Sequence, residues 1–342
     1  MLFLSTRGKT DLVCSAHAIT RGMADDGGLF VPQKFVAVPL EDIIALHNLS
    51  YQERAVKIIS LFLTDYSEEE LADAAARAYD AAKFGSCPAP VVQVNDNTDA
   101  LELWHGPTSA FKDMALQLLP YLMTVSAKKT AEGKTIVILV ATSGDTGKAA
   151  MEGFHDVPGT RIIVFYPYGG VSAVQQAQMA TQTGGNVKVC AVRGNFDDAQ
   201  TGVKAIFADC QGRDLHGAML SSANSINIGR LAPQVVYYFR AYGDLVKAGR
   251  IQLGDKVDFT VPTGNFGDIL AGYLAKRLGL PVGKLICASN ANNVLTDFIR
   301  TGVYDKRRPL LKTTSPSMDI LVSSNLERLL YLLARDPRAV AP

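Results

Sequence analysis

One lysine, Lys112, stands in Trp104-His-Gly-Pro-Thr-Ser-Ala-Phe-Lys-Asp113, just behind a Gly-Pro turn and ahead of apolar residues at Ala115, Leu118, Leu119 and Leu122. That spacing predicts an amphipathic helix, with Thr108 and Ser109 as candidate N-caps. A lysine in a first helical turn sits against the positive end of the macrodipole. Joined to partial burial, that field favours the neutral amine, the nucleophile that a Schiff base with a carbonyl requires. The plain alternative is a lysine that snorkels from a helix end, and this stretch alone separates neither.

Three further stretches carry polar chemistry. Val261-Pro-Thr-Gly-Asn-Phe-Gly-Asp268 leaves an apolar run and enters a helical one, and Gly264 and Gly267 let backbone N–H groups converge on an anion. Ala141-Thr-Ser-Gly-Asp-Thr-Gly147 repeats the arrangement with three hydroxyls. Its Gly147-Lys148 pair is not a nucleotide-binding P-loop, which would need glycine at Thr142 and Ser or Thr at Ala149. Ser221-Ser-Ala-Asn-Ser-Ile-Asn-Ile-Gly-Arg230 brings amide and hydroxyl groups together with an arginine, whose planar fork grips phosphate or carboxylate. Singly these read as ordinary turns and polar loops. Together they fit pyridoxal phosphate, whose aldehyde needs an amine and whose phosphate needs a cradle. A second cradle would serve a phosphorylated substrate.

These groups must be positioned by alternating strands and helices. Near-continuous apolar runs at 135–141, 161–165, 186–192, 256–261 and 284–288 predict strands buried on both faces. Helical periodicity fills 147–154, 172–183, 197–210, 231–246, 267–278 and 293–301, so parallel sheets covered by helices are expected, with ligands beyond the carboxyl ends of the strands. The interval 193–255 shows no clear buried strand and reads as the return from one sheet to another. Residues 1–92 read as a small α-rich unit, with helices at 41–47 and 51–66, a helix start at Ser67, and a tight turn running into a short strand at 25–32. The fold class is α/β, with two mostly parallel domains around a cleft. One spans 104–246 and carries Lys112; the other joins 93–103 to 247–342 and carries the 264–268 loop.

A formal net charge of +1 gives no footprint for nucleic acid or an anionic membrane. No apolar stretch reaches a membrane span and no signal peptide precedes the fold, so a cytoplasmic protein is expected. Five scattered cysteines without a C-x-x-C, and five histidines without ligand spacing, suggest no disulfide framework and no metal.

Ser5-Thr-Arg-Gly8, Asp26-Gly-Gly-Leu-Phe-Val-Pro32, His105-Gly-Pro-Thr-Ser-Ala-Phe-Lys-Asp113, Thr142-Ser-Gly-Asp-Thr-Gly147, Asn224-Ser-Ile-Asn-Ile-Gly-Arg230, Pro262-Thr-Gly-Asn-Phe-Gly-Asp268, Ala288-Ser-Asn-Ala-Asn-Asn-Val-Leu295 and Ser315-Pro-Ser-Met-Asp-Ile-Leu-Val-Ser-Ser-Asn325 follow one another along the chain. In this set the sequence resembles the threonine synthase family, in its longer bacterial and fungal form, among fold type II pyridoxal phosphate enzymes, built like the tryptophan synthase β subunit. The resemblance implies conversion of O-phospho-L-homoserine and water to L-threonine and phosphate, with Lys112 as the catalytic residue that holds the cofactor and moves protons. It implies cofactor contacts from Phe111, Asp145, Gly264, Asn265, Phe266, Gly267 and Asp268. Thr142, Ser143, Thr146, Asn224, Ser225 and Arg230 would hold the substrate's carboxylate or phosphate.

In many relatives of the fold an asparagine meets the cofactor's phenolic oxygen where Asp145 stands here. Asp145 is therefore expected to be protonated, turned toward a donor, or paired with the imine. The family usually continues past Ala341-Pro342, and the residue meeting the pyridine nitrogen is expected in that part. The rival expectations are another lyase or synthase of the same fold type and a noncatalytic relative that binds cofactor or metabolite. A monomer or a homodimer fits the sequence.

Overall fold

The computed structural model describes every residue except 195, 211, 212, 341 and 342, so the last two positions of the expected second domain lie outside the described residues. The chain opens with an antiparallel sheet of β1 (Leu2–Ser5), β2 (Val13–Cys14) and β3 (Phe30–Pro32) in the order β2-β1-β3, with α1 (Ser15–Arg21) between the second and third strands. Helices α2 (Leu40–His47), α3 (Tyr51–Ile59), α4 (Glu68–Ala78) and α5 (Ala81–Phe84) follow. The unit is rich in helix, as expected, and β3 is the short strand expected after the turn at 25–32; β1 and β2 were not announced, because strands of two to four residues show no alternation to read. α3 is shorter than the expected 51–66. α4 begins where Ser67 predicted: its hydroxyl accepts from the Glu70 N–H while the Glu70 side chain reaches back, a reciprocal cap worth about 1 kcal/mol.

After a hairpin of β4 (Val91–Asn95) and β5 (Thr98–Leu101) come α6 (Asp113–Leu116), α7 (Leu119–Thr130), β6 (Thr135–Ala141), α8 (Asp145–Phe154), β7 (Thr160–Pro167), α9 (Ala173–Ala180), β8 (Val187–Val192), α10 (Phe196–Cys210) and β9 (Ala218–Ser221). The last four strands form a parallel sheet ordered β8-β7-β6-β9. β9 corrects the expectation that 193–255 contains no clear buried strand, although the interval does lead, as expected, to another sheet. It pairs with β6 through a run too short to stand out, Ala218-Met-Leu-Ser221.

The helix expected from Phe111 is broken in two. Pro120 lacks the N–H that would bond the Leu116 carbonyl, and that carbonyl faces Gly153 of α8, where an added Cβ would lie 2.1 Å away. Gly153 thereby lets α8 pack directly on α6.

The chain continues through α11 (Ile228–Lys247), β10 (Val257–Pro262), α12 (Gly267–Arg277), β11 (Val282–Ala288), α13 (Val294–Thr301), a 3-10 turn at Pro316–Met318 and α14 (Leu326–Ala334). β10 and β11 pair in parallel as a sheet of two strands among the described residues. Contrary to expectation, β8, β10 and β11 alternate between covered and exposed residues. β8 is an edge strand, and a two-stranded sheet has no interior strand to cover. α11 is buried almost throughout and packs against α2, α3, α6 and α12, so one helix joins the N-terminal helices to those beside both glycine corners. Among the described residues no helix is long and apolar enough to cross a membrane.

Candidate active site

Lys112 is the residue before α6 rather than part of a long helix, and neither Thr108 nor Ser109 caps it. Asp113, buried in α6, instead accepts from the Thr108 N–H and hydroxyl at 2.8 Å each and ties back the turn that delivers Lys112. Gly106 is required there, since a Cβ would lie 2.5 Å from that of Asp113.

The amine meets Asp145, the first residue of α8. Lys112 Nζ donates to both carboxylate oxygens at 2.7 Å, and both side chains are nearly buried. Burial alone would push the Asp145 carboxyl up; the Lys112 charge and hydrogen bond, the Ser317 hydroxyl and the Thr146 N–H outweigh it and hold the group below the ordinary carboxylate range. Of the expected fates of Asp145, the structure has it ionised and paired with the lysine. The Phe111 ring lies 5.5 Å from Nζ.

The corner after β6 is shaped by Thr142, whose oxygen accepts from the Gly144 and Gly147 N–H groups at 2.9 and 2.8 Å. That hydroxyl oxygen is engaged by the loop itself, and Thr142 is not among the residues lining the pocket around Lys112. Thr146, Asn224, Ser225 and Arg230 line one pocket with Phe111, Lys112 and residues 262–269. Ser143 is not among the residues lining it. Arg230 is buried, its Nη1 donating to the Ala223 carbonyl at 2.6 Å while Nε has no partner. Burial lowers its pKa to about 10, a fall that the Asp145 charge partly offsets. A buried guanidinium with an unpaired N–H suits an anion.

The corner after β10 turns through Phe266 in the left-handed region, φ 65°, into the first turn of α12. Gly264 lets the Ser317 carbonyl approach, since a Cβ would lie 3.1 Å from it. Asp268 lines the same pocket, and its carboxylate accepts at Oδ1 from the Tyr237 and Tyr238 hydroxyls at 2.6 and 2.8 Å, so its side chain is tied to α11. Burial pushes its carboxyl up, and the two tyrosines offset that only in part.

Several side chains here had no expected role. Ser317 donates to Asp145 Oδ2 at 2.5 Å from the 3-10 turn. Arg328 of α14 is buried, and its fork donates to the carbonyls of Phe30, Ser225 and Ile226, holding the polar loop. Gln234 donates to the Arg230 carbonyl at 2.6 Å and accepts from Tyr237. Ser317 lay in a quoted motif, but nothing local marks a turn serine as a long-range donor. The free space in this pocket is about 40 Å³, little more than one water's share. Larger clefts of about 430 Å³ beside α10 and about 660 Å³ beside β5 and β10 contain neither Lys112 nor Arg230, so chemistry and not volume selects the site.

The unpaired Arg230 N–H, the glycine corner and a buried amine together fit a phosphate-bearing carbonyl cofactor. A family model described as threonine synthase N terminus matches residues 2–79, and one described as pyridoxal-phosphate dependent enzyme matches residues 99–338. The chain is 45% identical to threonine synthase of Pseudomonas aeruginosa, over 100% of this chain and 71% of that protein. It is also 45% identical to human threonine synthase-like 1, over 93% of this chain but only 44% of that protein. The pyridoxal-phosphate-bound threonine synthase structure from Brucella melitensis superposes with a TM-score of 0.89 at 43% identity, covering 99% of this chain and 71% of that one. Geometry and likeness agree: the chain belongs to the threonine synthase family of pyridoxal-phosphate dependent enzymes.

Proposed function

We propose that this chain converts O-phospho-L-homoserine and water to L-threonine and phosphate. The observation that carries this reading is that Lys112, paired with Asp145, lines one pocket with an arginine whose Nε has no partner among the described residues and with a glycine corner at a helix start. Lys112 would hold pyridoxal phosphate through Nζ, and the backbone N–H groups of Gly264, Asn265, Phe266 and Gly267 would hold its phosphate. Bound there, the cofactor supplies an electron sink.

The chain's own groups do the rest. Lys112 Nζ moves protons at the substrate's Cα and Cβ, kept close by Asp145. Arg230, Asn224, Ser225 and Thr146 orient the substrate's anionic groups and stabilise the charge that grows as phosphate departs, since donors fixed in advance need no reorganisation. Thr142 and Asp268 shape the two corners. The small free volume implies that the cleft walls part for loading and close to exclude bulk water. The two-domain division at 104–246 and 93–103 with 247–342, a cytoplasmic place, and a monomeric or homodimeric state belong to the same proposal.

The test adds pyridoxal phosphate and looks for a visible band that borohydride abolishes and that Lys112→Ala lacks, then supplies O-phosphohomoserine and assays phosphate and threonine. No band overturns the reading. A band without turnover favours a noncatalytic binder, and turnover with O-acetylserine instead favours another lyase or synthase of this fold type.

A further inference from the structure

The stretches 288–295 and 315–325 have no part in the proposed function as stated, yet they build one object. Asp319 Oδ1 accepts from the Asn290 and Asn292 amides at 2.7 and 3.0 Å and from the Thr313 hydroxyl at 2.7 Å; Oδ2 accepts from the Thr313 N–H at 2.9 Å. Asn292 also grips the Leu311 backbone in both directions, its amide donating to the carbonyl at 2.8 Å and its oxygen accepting from the N–H at 2.9 Å. This clamp fixes the short turn at Pro316–Met318. The turn sends one hydroxyl, that of Ser317, to Asp145 on the other wall of the pocket.

We propose that Ser317 is a positioning residue for the reaction: carried by the Asn290, Asn292, Thr313 and Asp319 clamp, it reaches across the closed cleft and fixes Asp145 opposite Lys112. A carboxylate beside a lysine alone can rotate about its last torsion, which is broad. A donor at Oδ2 and the Thr146 N–H, at 2.8 Å from Oδ1, remove that freedom from opposite sides. The bond also stabilises the ionised form, and so sets how firmly Asp145 holds the lysine's charge. The charged groups facing Asp145 are Lys112 at the head of α6 and Arg230 on α11. The inference rests on the proposed function for its purpose, whereas the bond itself can be tested without cofactor.

The first measurement is a double-mutant cycle in urea on the cofactor-free protein, with Ser317→Ala, Asp145→Asn and both together. Coupling is expected: Ser317→Ala costs stability in the wild-type background and little in the Asp145→Asn background, and it moves the acid limb of the wild-type stability curve to higher pH. Equal cost in both backgrounds overturns the proposal whatever the cofactor does. The second measurement follows the visible band of the loaded protein against pH. Ser317→Ala is expected to move its midpoint downward, because a less firmly ionised and oriented Asp145 holds the positive charge less well, and to lower kcat about ten- to a hundredfold, the worth of one hydrogen bond to a charged group, with KM little changed. Ser317→Thr restores both. Asp319→Asn, which leaves Ser317 in place but breaks the clamp, reproduces the Ser317→Ala effect, and the two together add little more. A coupled pair with an unmoved band makes Ser317 merely structural and overturns the proposal. Absence of any band in the wild type overturns the proposed function, and the cycle still decides the bond.

Discussion

Asp145 and Asp268 stand at equivalent places in two corners of the molecule. Each lies in the first turn of a helix that leaves a parallel strand through a glycine turn, and each carboxylate is withdrawn from water. Their charges nevertheless diverge. Asp145 faces a lysine, a serine hydroxyl and a backbone N–H, and its carboxyl is held down. Asp268 meets only two tyrosine hydroxyls, and burial pushes it up. A strand-turn-helix corner thus chooses where an acid sits, and whatever the rest of the fold brings alongside chooses its proton. One corner keeps an anion to hold an amine. The other holds a carboxyl that burial makes harder to ionise, beside a glycine corner at a helix start.

The largest expected effect comes from removing the cation that separates the two corners. Lys112→Ala leaves Asp145 a buried carboxylate without its counter-charge and is expected to cost about 3–5 kcal/mol in urea unfolding. Adding Asp145→Asn should restore most of that loss; failure to do so would mean that the lysine is not what keeps Asp145 charged. Next is the contact that sets the distance between amine and acid. Gly153→Ala forces a methyl into the Leu116 carbonyl and is expected to cost about 1–3 kcal/mol, more than the helix propensity it gains. A stabilised variant would show that α6 and α8 have slack.

The pH dependence of the two isosteric variants sharpens the comparison. Asp145 has a folded pKa below its ordinary 3.8, so its contribution is present above 3.8 and is lost as pH falls through the folded value. Asp145→Asn should therefore cost most near neutrality, and its gap to wild type should close in strong acid. Asp268 has a folded pKa above 3.8, so its contribution is present below 3.8 and is lost as pH rises through the folded value. Asp268→Asn should accordingly become more favourable relative to wild type as pH rises. Parallel curves for the two variants would erase the distinction drawn between the corners. The smallest expected effect is Tyr238→Phe, which removes one of two donors to Asp268 and should cost about 0.5–1.5 kcal/mol by the same unfolding measurement.

Much of the architecture was legible because it is written in local periodicity. β6 falls on residues 135–141 as its apolar run predicts, and α4 starts behind Ser67 because a capping box is complete within four residues. β9 escaped notice because pairing with β6, not its own four residues, makes it a strand. The break before α7 was readable in principle from Pro120, but the apolar spacing runs through it, since Ala115, Leu118, Leu119 and Leu122 are all buried regardless. In the site, Lys112 and the glycine corners declare themselves by type and turn chemistry. The partners of Thr142 and Asp268 were not legible, because a hydroxyl or carboxylate in a loop does not reveal which way it turns.

The sequence by itself marked Lys112, the two glycine corners and most of the alternating strands and helices from residue 135 on, since each depends on residues a few positions apart. Only the tertiary structure decided that Asp145 is an ion while Asp268 is pushed toward its acid form, and that Ser317, 172 residues away, reaches Asp145. Burial and the approach of distant partners set those states. Both act through space, and neither leaves a period or a spacing in the chain.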